Sequence, residues 1–114
     1  MEEEIPKSYF LMCSACYTPC PGIDAHVIPR WNPEQRRIFT TYRCGNCWLT
    51  SLDELRAAIT SGESEVLASF CDFLARQGYS KDADTIRAAS SEQQQAYLLA
   101  IVDATQAEKL VFHP

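Results

Sequence analysis

Two pairs of cysteines set the strongest constraint on how this chain can fold. Each pair holds two residues between its cysteines: CSAC covers residues 13–16, and CGNC covers residues 44–47, after 27 intervening residues. Two residues between cysteines allow a tight turn to direct both sulfurs at one ion, and two such turns complete a tetrahedron of thiolates around zinc. The spacing therefore predicts one structural Zn²⁺ per chain.

The rest of the sequence predicts a reducing environment for the six cysteines. The acidic N-terminus, MEEEIPKSYF, lacks the basic and apolar regions of a signal peptide. The longest uncharged apolar run, AYLLAIV at 96–102, is too short to span a bilayer. We therefore predict a cytoplasmic protein without membrane association, in which metal binding is favoured over the alternative of disulfide pairing.

The hydrophobic period changes near residue 50. Residues 25–31 and 36–43 read as two strands joined by a turn, whereas later apolar residues recur at helical spacing. We predict an α+β fold with a β-hairpin lobe at 1–50 and a lobe of three to four helices at 51–114, and we expect the two lobes to pack as one unit. The helices are expected from Ser51, at about 65–77, near 81–89, and from Ser90 or Ser91 to about Gln106.

Individual residues support these helix boundaries. Ser51 and Glu54 form a predicted capping box for the first helix. Ser61 and Gly62 are expected to end that helix, and Gly78 is expected to follow the end of the second. The apolar residues of the second and fourth helices are expected in the core: Val66, Leu67, Phe70, Cys71, Phe73, Leu74, Tyr97, Leu98, Ile101 and Val102.

The knuckles MCSAC and YRCGNCW, with a hairpin between them, resemble the zinc-ribbon superfamily. The resemblance covers residues 9–50 and identifies no specific family. It implies that the metal ligands are the four cysteines of the two pairs: Cys13, Cys16, Cys44 and Cys47. Gly45 is expected to give the second knuckle the backbone freedom that its turn requires.

Three alternatives at the metal site stay open at this point. Cys20 could replace Cys16 as a ligand, and His26 could also bind the metal. Iron in a rubredoxin-like site would use the same four sulfurs. Cys71 lies on the apolar stripe of its helix and is predicted to be a core residue instead of a nucleophile.

The sequence favours a binding protein over an enzyme. It contains no phosphate-binding glycine loop, zinc-protease motif or nucleophile elbow, and four cysteine ligands leave zinc no open position for catalysis. Nucleic-acid binding is the alternative function, because arginines and aromatic residues alternate around the hairpin. The candidate nucleic-acid or partner contacts are Arg30, Trp31, Arg36, Arg37 and Arg43.

The overall charge favours a protein partner. The formal net charge is −5, and residues 51–114 carry ten acidic against five basic residues. We therefore predict a non-enzymatic zinc-binding adaptor or regulatory protein that docks on a larger protein. One form of it would be an acidic inhibitor of a nucleic-acid-processing complex, and the C-terminal helix is a candidate surface for homodimerisation.

Overall fold

The computed structural model describes residues 10–21 and 25–113, and within them all strands precede all helices. This order confirms the predicted α+β fold with an N-terminal hairpin lobe. The strands are β1 (Phe10–Met12), β2 (Pro19–Pro21), β3 (His26–Asn32) and β4 (Arg37–Arg43). The helices are α1 (Trp48–Thr60), α2 (Ser64–Arg76), α3 (Ser80–Arg87) and α4 (Ser91–Gln106).

The strands form two separate antiparallel pairs, β1 with β2 and β3 with β4. In the longer hairpin Pro29 lies opposite Thr40, and the strand continues beyond Pro29 to Asn32. A two-stranded sheet has only edge strands, so the missing N–H of proline is tolerated there. The Asn32 Oδ1 accepts hydrogen bonds from the backbone N–H of Glu34 and Gln35, which forms the predicted turn.

Buried residues occupy both faces of β4. Ile38, Thr41 and Arg43 are all buried, although strict alternation places Ile38 on the opposite face from the other two. The reason is that α1 packs against β3 while α2 packs against β4, so the hairpin has no face that is wholly exposed.

The predicted start of α1 is wrong. The helix begins at Trp48, three residues before the expected cap at Ser51, and its N-cap is Cys47. The carbonyl of Cys44 accepts from the Trp48 N–H at 3.2 Å, so the second cysteine turn continues directly into the helix. The Ser51 hydroxyl instead donates to the Cys47 carbonyl at 3.1 Å and is buried.

The other helix boundaries follow the prediction closely. Gly78 has φ +95° after the end of α2, and the Tyr79 N–H donates to the Leu74 carbonyl at 2.9 Å, which completes a Schellman motif. Ser90 caps α4, with reciprocal side-chain to backbone hydrogen bonds between Ser90 and Gln93. Hydrogen bonds between residues close in sequence therefore determine the end of α2 and the start of α4.

One cluster of buried apolar residues connects the hairpin with the helices. Ile28 and Ile38, each 1% exposed, belong to the same cluster as Leu52 and Phe70. The predicted stripe of α2 is confirmed, since all six of its apolar residues are buried: Val66, Leu67, Phe70, Cys71, Phe73 and Leu74. On α4, Leu98 and Val102 are buried and Ile101 is partly buried, as expected.

Two core assignments differ from expectation. Tyr97 is 48% exposed and is not part of the core, because the buried side of α4 is centred on Leu98 and Val102. Phe112, which no periodic pattern identified, is buried and meets Phe73 edge to face with ring centroids 5.0 Å apart.

Candidate metal centre

The first knuckle lies between β1 and β2. Cys13 follows β1 and is fully buried, and its carbonyl accepts a hydrogen bond from the Tyr17 N–H at 2.9 Å. Tyr17 adopts φ +62°, a left-handed conformation that reverses the chain. The Cys13 N–H then donates to the Thr18 carbonyl at 3.1 Å, which closes the turn that presents Cys13 and Cys16.

The second knuckle lies between β4 and α1. The Cys47 N–H donates to the Cys44 carbonyl at 3.1 Å, and this turn leads into the helix. The role predicted for Gly45 is wrong, because Gly45 does not have positive φ and an added Cβ would meet no atom within 4 Å. A hydrogen bond of 2.8 Å from the Ser14 N–H to the Tyr42 carbonyl joins the two knuckles.

The four predicted ligands meet at one point. The Sγ atoms of the knuckle cysteines all lie within 4.8 Å of one another. The Cys16 and Cys44 sulfurs are 3.7 Å apart. This distance is close to the edge of about 3.8 Å in a tetrahedron with Zn–S bonds of about 2.3 Å. The donor set and this separation both fit a tetrathiolate zinc centre, and the arrangement is consistent with a zinc-ribbon-like site.

The ionisation of these thiols also fits a cationic occupant. Burial of Cys13 would raise its pKa, but N–H groups of the backbone, chiefly at Cys16 and Cys44, lower the pKa to about 6. The Thr18 hydroxyl lowers the pKa of Cys16. In contrast, the neighbouring sulfurs of Cys16 and Cys44 raise the pKa of Cys47 to about 12. A bound divalent cation would relieve this repulsion between the thiolates.

The alternative ligands lie outside this four-cysteine group. Cys20 is buried and packs against Cys13 and Cys44, but it is not a member of the group formed by the described residues. The ring of His26 is stacked on the ring of Trp48, with centroids 4.2 Å apart and an interplanar angle of 1°. Cys71 is 1% exposed in the helical core, and burial raises the pKa of its thiol. The predicted core position of Cys71 is confirmed.

The hairpin arginines occupy three different environments. Arg30 and Arg37 are exposed. Arg36 forms an ion pair with Glu65 on α2. Arg43 is only 3% exposed, and its Nε donates to the Ser51 Oγ at 2.5 Å.

The structure does not bring the predicted contact residues into one surface. Trp31 is half-buried and packs against the core, so its ring is only partly available for stacking. Arg43 is buried, so it does not form an exposed row with Arg36 and Arg37. Sequence reasoning missed the pair formed by Arg43 and Ser51. The sequence indicates this contact only if the second knuckle runs directly into a helix, because residue 51 then lies one turn after Cys47.

Comparison with family models, with curated proteins and with solved structures found no match for this chain. Among the helices of the described residues, none has the length and apolar character needed to cross a membrane.

Proposed function

We propose that this protein is a non-enzymatic zinc-binding adaptor or regulatory protein that docks on a larger protein partner. The observation that carries the proposal is the cluster of four thiols, whose sulfurs lie within 4.8 Å of one another. Four protein ligands fill the zinc tetrahedron and leave no position for water or substrate. A zinc ion held in this way stabilises the fold, and function then depends on the surfaces that the fold presents.

The environments of the arginines support a protein partner over nucleic acid. Arg43 is buried, and Arg36 is paired with the carboxylate of Glu65. Only Arg30 and Arg37 of the four hairpin arginines remain exposed without an ion pair among the described residues. Nonspecific binding to a phosphate backbone depends on several cations acting together, and the net charge of −5 opposes it further.

The helical part of the chain offers a surface of the opposite charge. Arg56 bonds to Asp53 and Asp103, and Arg87 bonds to Asp72 and Asp84. Residues 51–114 contain ten acidic and five basic residues, so acidic charge remains in excess after these pairs form. Such a surface suits a basic face on a partner, including the nucleic-acid groove of an enzyme that this protein would inhibit.

Affinity capture from the native host tests the proposal. The zinc-loaded chain carries the tag, and matched samples are prepared with and without nuclease before mass spectrometry. A specific protein partner that survives nuclease treatment is the expected result. Loss of every partner after nuclease treatment would support the nucleic-acid alternative instead.

A gel-shift titration with single- and double-stranded probes provides the direct comparison. At about 150 mM salt, where the Debye length is about 8 Å, we expect negligible binding of DNA or RNA. Sub-micromolar binding that disappears in the Arg36→Ala/Arg37→Ala double variant would overturn the adaptor proposal. The single Arg37→Ala variant separates the exposed arginine from the one that already pairs with Glu65.

A further inference from the structure

A polar cavity of about 450 Å³ lies beside the metal centre, between the knuckles, the hairpin and the first turns of α1. It does not belong to the zinc site, although Cys47 forms part of its wall. The wall of the cavity includes two arginines, four hydroxyl groups and one carboxylate. They are Arg30, Arg43, Ser14, Tyr17, Thr50, Ser51 and Glu54.

The buried guanidinium of Arg43 is the observation that points to a ligand. Arg43 is 3% exposed, and its Nη1 has no hydrogen-bond partner among the described residues, sulfur acceptors included. Arg43 and Ser51 both line the cavity, and the Arg43 Nε donates to the Ser51 hydroxyl. A buried cation with an unmet donor is costly unless an anion compensates it.

Three further features of the wall favour an oxyanion. Arg30 is exposed and adds a second guanidinium from β3. Tyr17 is 72% exposed and offers a phenolic hydroxyl. Thr50 lies in the first turn of the 13-residue helix α1, where the positive end of the helix dipole favours negative charge.

Two groups in the wall oppose an anion and limit its affinity. Glu54 carries a carboxylate, and Cys47 would contribute thiolate charge to a zinc centre. No sulfur atom of the described residues accepts a hydrogen bond from the Arg43 Nη1. A ligand must therefore accept several strong hydrogen bonds. A dianionic phosphate group meets this requirement.

We propose that this cavity, defined by Arg30, Arg43 and the N-terminus of α1, binds the phosphate group of a phosphorylated side chain on the protein partner. The proposal deepens the proposed function and rests on it. A single concave site with two guanidinium groups suits one phosphate. A nucleic-acid strand needs a row of cations instead, and the pairing of Arg36 with Glu65 interrupts that row.

Nuclear magnetic resonance of the zinc-loaded full chain, freed of excess zinc, tests the site itself. Inorganic phosphate, O-phosphoserine and adenosine monophosphate are titrated separately at constant ionic strength, with chloride as the control anion. We expect phosphate and O-phosphoserine to shift the same signals, those of the Thr50 and Ser51 amides and the Arg43 Nε, with Kd on the order of 1 mM. No localised shift with phosphate, or shifts equal to those with chloride, would overturn the proposal.

Exposed variants give the proposal a test that does not depend on the buried arginine. Arg30→Gln should weaken phosphate binding by about tenfold, and Glu54→Gln should strengthen it by about threefold. Arg37→Gln removes the same charge from the same hairpin outside the cavity and should change binding by less than about twofold. Equal effects of Arg30→Gln and Arg37→Gln would show that only net charge matters and would contradict the site.

Two comparisons separate this inference from the proposed function. If a nuclease-resistant partner is captured equally by the parent chain and by Arg30→Gln, before and after phosphatase treatment, the phosphate inference fails while the adaptor function stands. If phosphate binds at the cavity but no protein partner is captured, the anion site stands, while the adaptor function and the assignment of the phosphate to a partner protein both fail. Binding of adenosine monophosphate more than about tenfold tighter than O-phosphoserine would favour a nucleotide ligand and overturn the assignment to a phosphorylated side chain.

Discussion

At the scale of single residues, the surroundings of each sulfur distinguish the cysteines. Cys13 is buried among backbone N–H donors that lower its pKa to about 6, so it supplies a thiolate readily. Cys71 is equally buried, but it lies among the apolar side chains of α2, and its pKa is raised. Burial alone therefore does not identify a metal ligand; the presence of donors and of other sulfurs does.

The first prediction concerns the ligand set. Cys44→Ser should reduce bound zinc from about one equivalent to well below one, because a tetrahedral structural site tolerates the loss of a thiolate poorly. Metal analysis of the purified protein measures this directly. Cys20→Ser is the matched control and should retain its zinc, since Cys20 lies outside the four-cysteine group. Loss of zinc from Cys20→Ser but not from Cys16→Ser would mean that the ligands are assigned wrongly.

The second prediction concerns the reactivity of Cys71. Its thiol is 1% exposed, and burial raises its pKa, so both access and the thiolate fraction at mildly alkaline pH are reduced. In the zinc-loaded protein, timed alkylation followed by mass spectrometry should modify Cys71 at least about a hundredfold more slowly than in denaturant. Modification at the rate of the unfolded chain would show that the core around α2 opens readily.

At the scale of elements, local signals predicted α2 and α4 well and α1 less well. Gly78 and Ser90 act through hydrogen bonds within a few residues, so sequence alone locates them. The start of α1 depends instead on the second knuckle, whose turn extends the helix back to Trp48. Serine is a common N-cap residue, but Ser51 lies inside α1, where its hydroxyl accepts a hydrogen bond from Arg43 on β4.

The third prediction concerns the packing of α2. Phe70 is fully buried and meets Phe73 edge to face with centroids 6.0 Å apart, so Phe70→Ala should lower the free energy of unfolding by about 3–5 kcal/mol. Denaturant titration at saturating zinc measures the change. Tyr97→Ala serves as the control: Tyr97 is 48% exposed, and we expect a loss below about 1 kcal/mol. A Phe70→Ala variant as stable as the parent would mean that this stripe is not a core.

At the scale of the whole molecule, the metal centre and the helices are connected by the hairpin. The division at residue 50 followed from the change in hydrophobic period, which reports local structure and carries no information on which lobes share a core. Ile28 and Ile38 pack in the same cluster as Leu52 and Phe70, so the hairpin covers apolar side chains of the helices. The cavity at Arg43 arises from the same packing, because it forms only where β4, the knuckles and α1 meet.

The last prediction follows from this shared core. Removal of zinc with a chelator should lower the thermal midpoint by on the order of 10–20 °C, because the knuckles lose the ion that holds them and the hairpin no longer covers the helices. Tryptophan fluorescence reports the hairpin side through Trp31 on β3 and Trp48 at the start of α1, whereas far-ultraviolet circular dichroism reports the helices.

The two signals should change together in one transition, before and after chelation, and added zinc should restore both. If chelation shifts the fluorescence transition but leaves the helical transition in place, the two lobes fold separately and the buried contacts of Ile28 and Ile38 contribute little to the helices. A single transition would mean that zinc also stabilises the helices, through the second knuckle, which runs directly into α1, and through the buried contacts of Ile28 and Ile38. The small metal centre would then be a condition for the helical surface on which docking would depend.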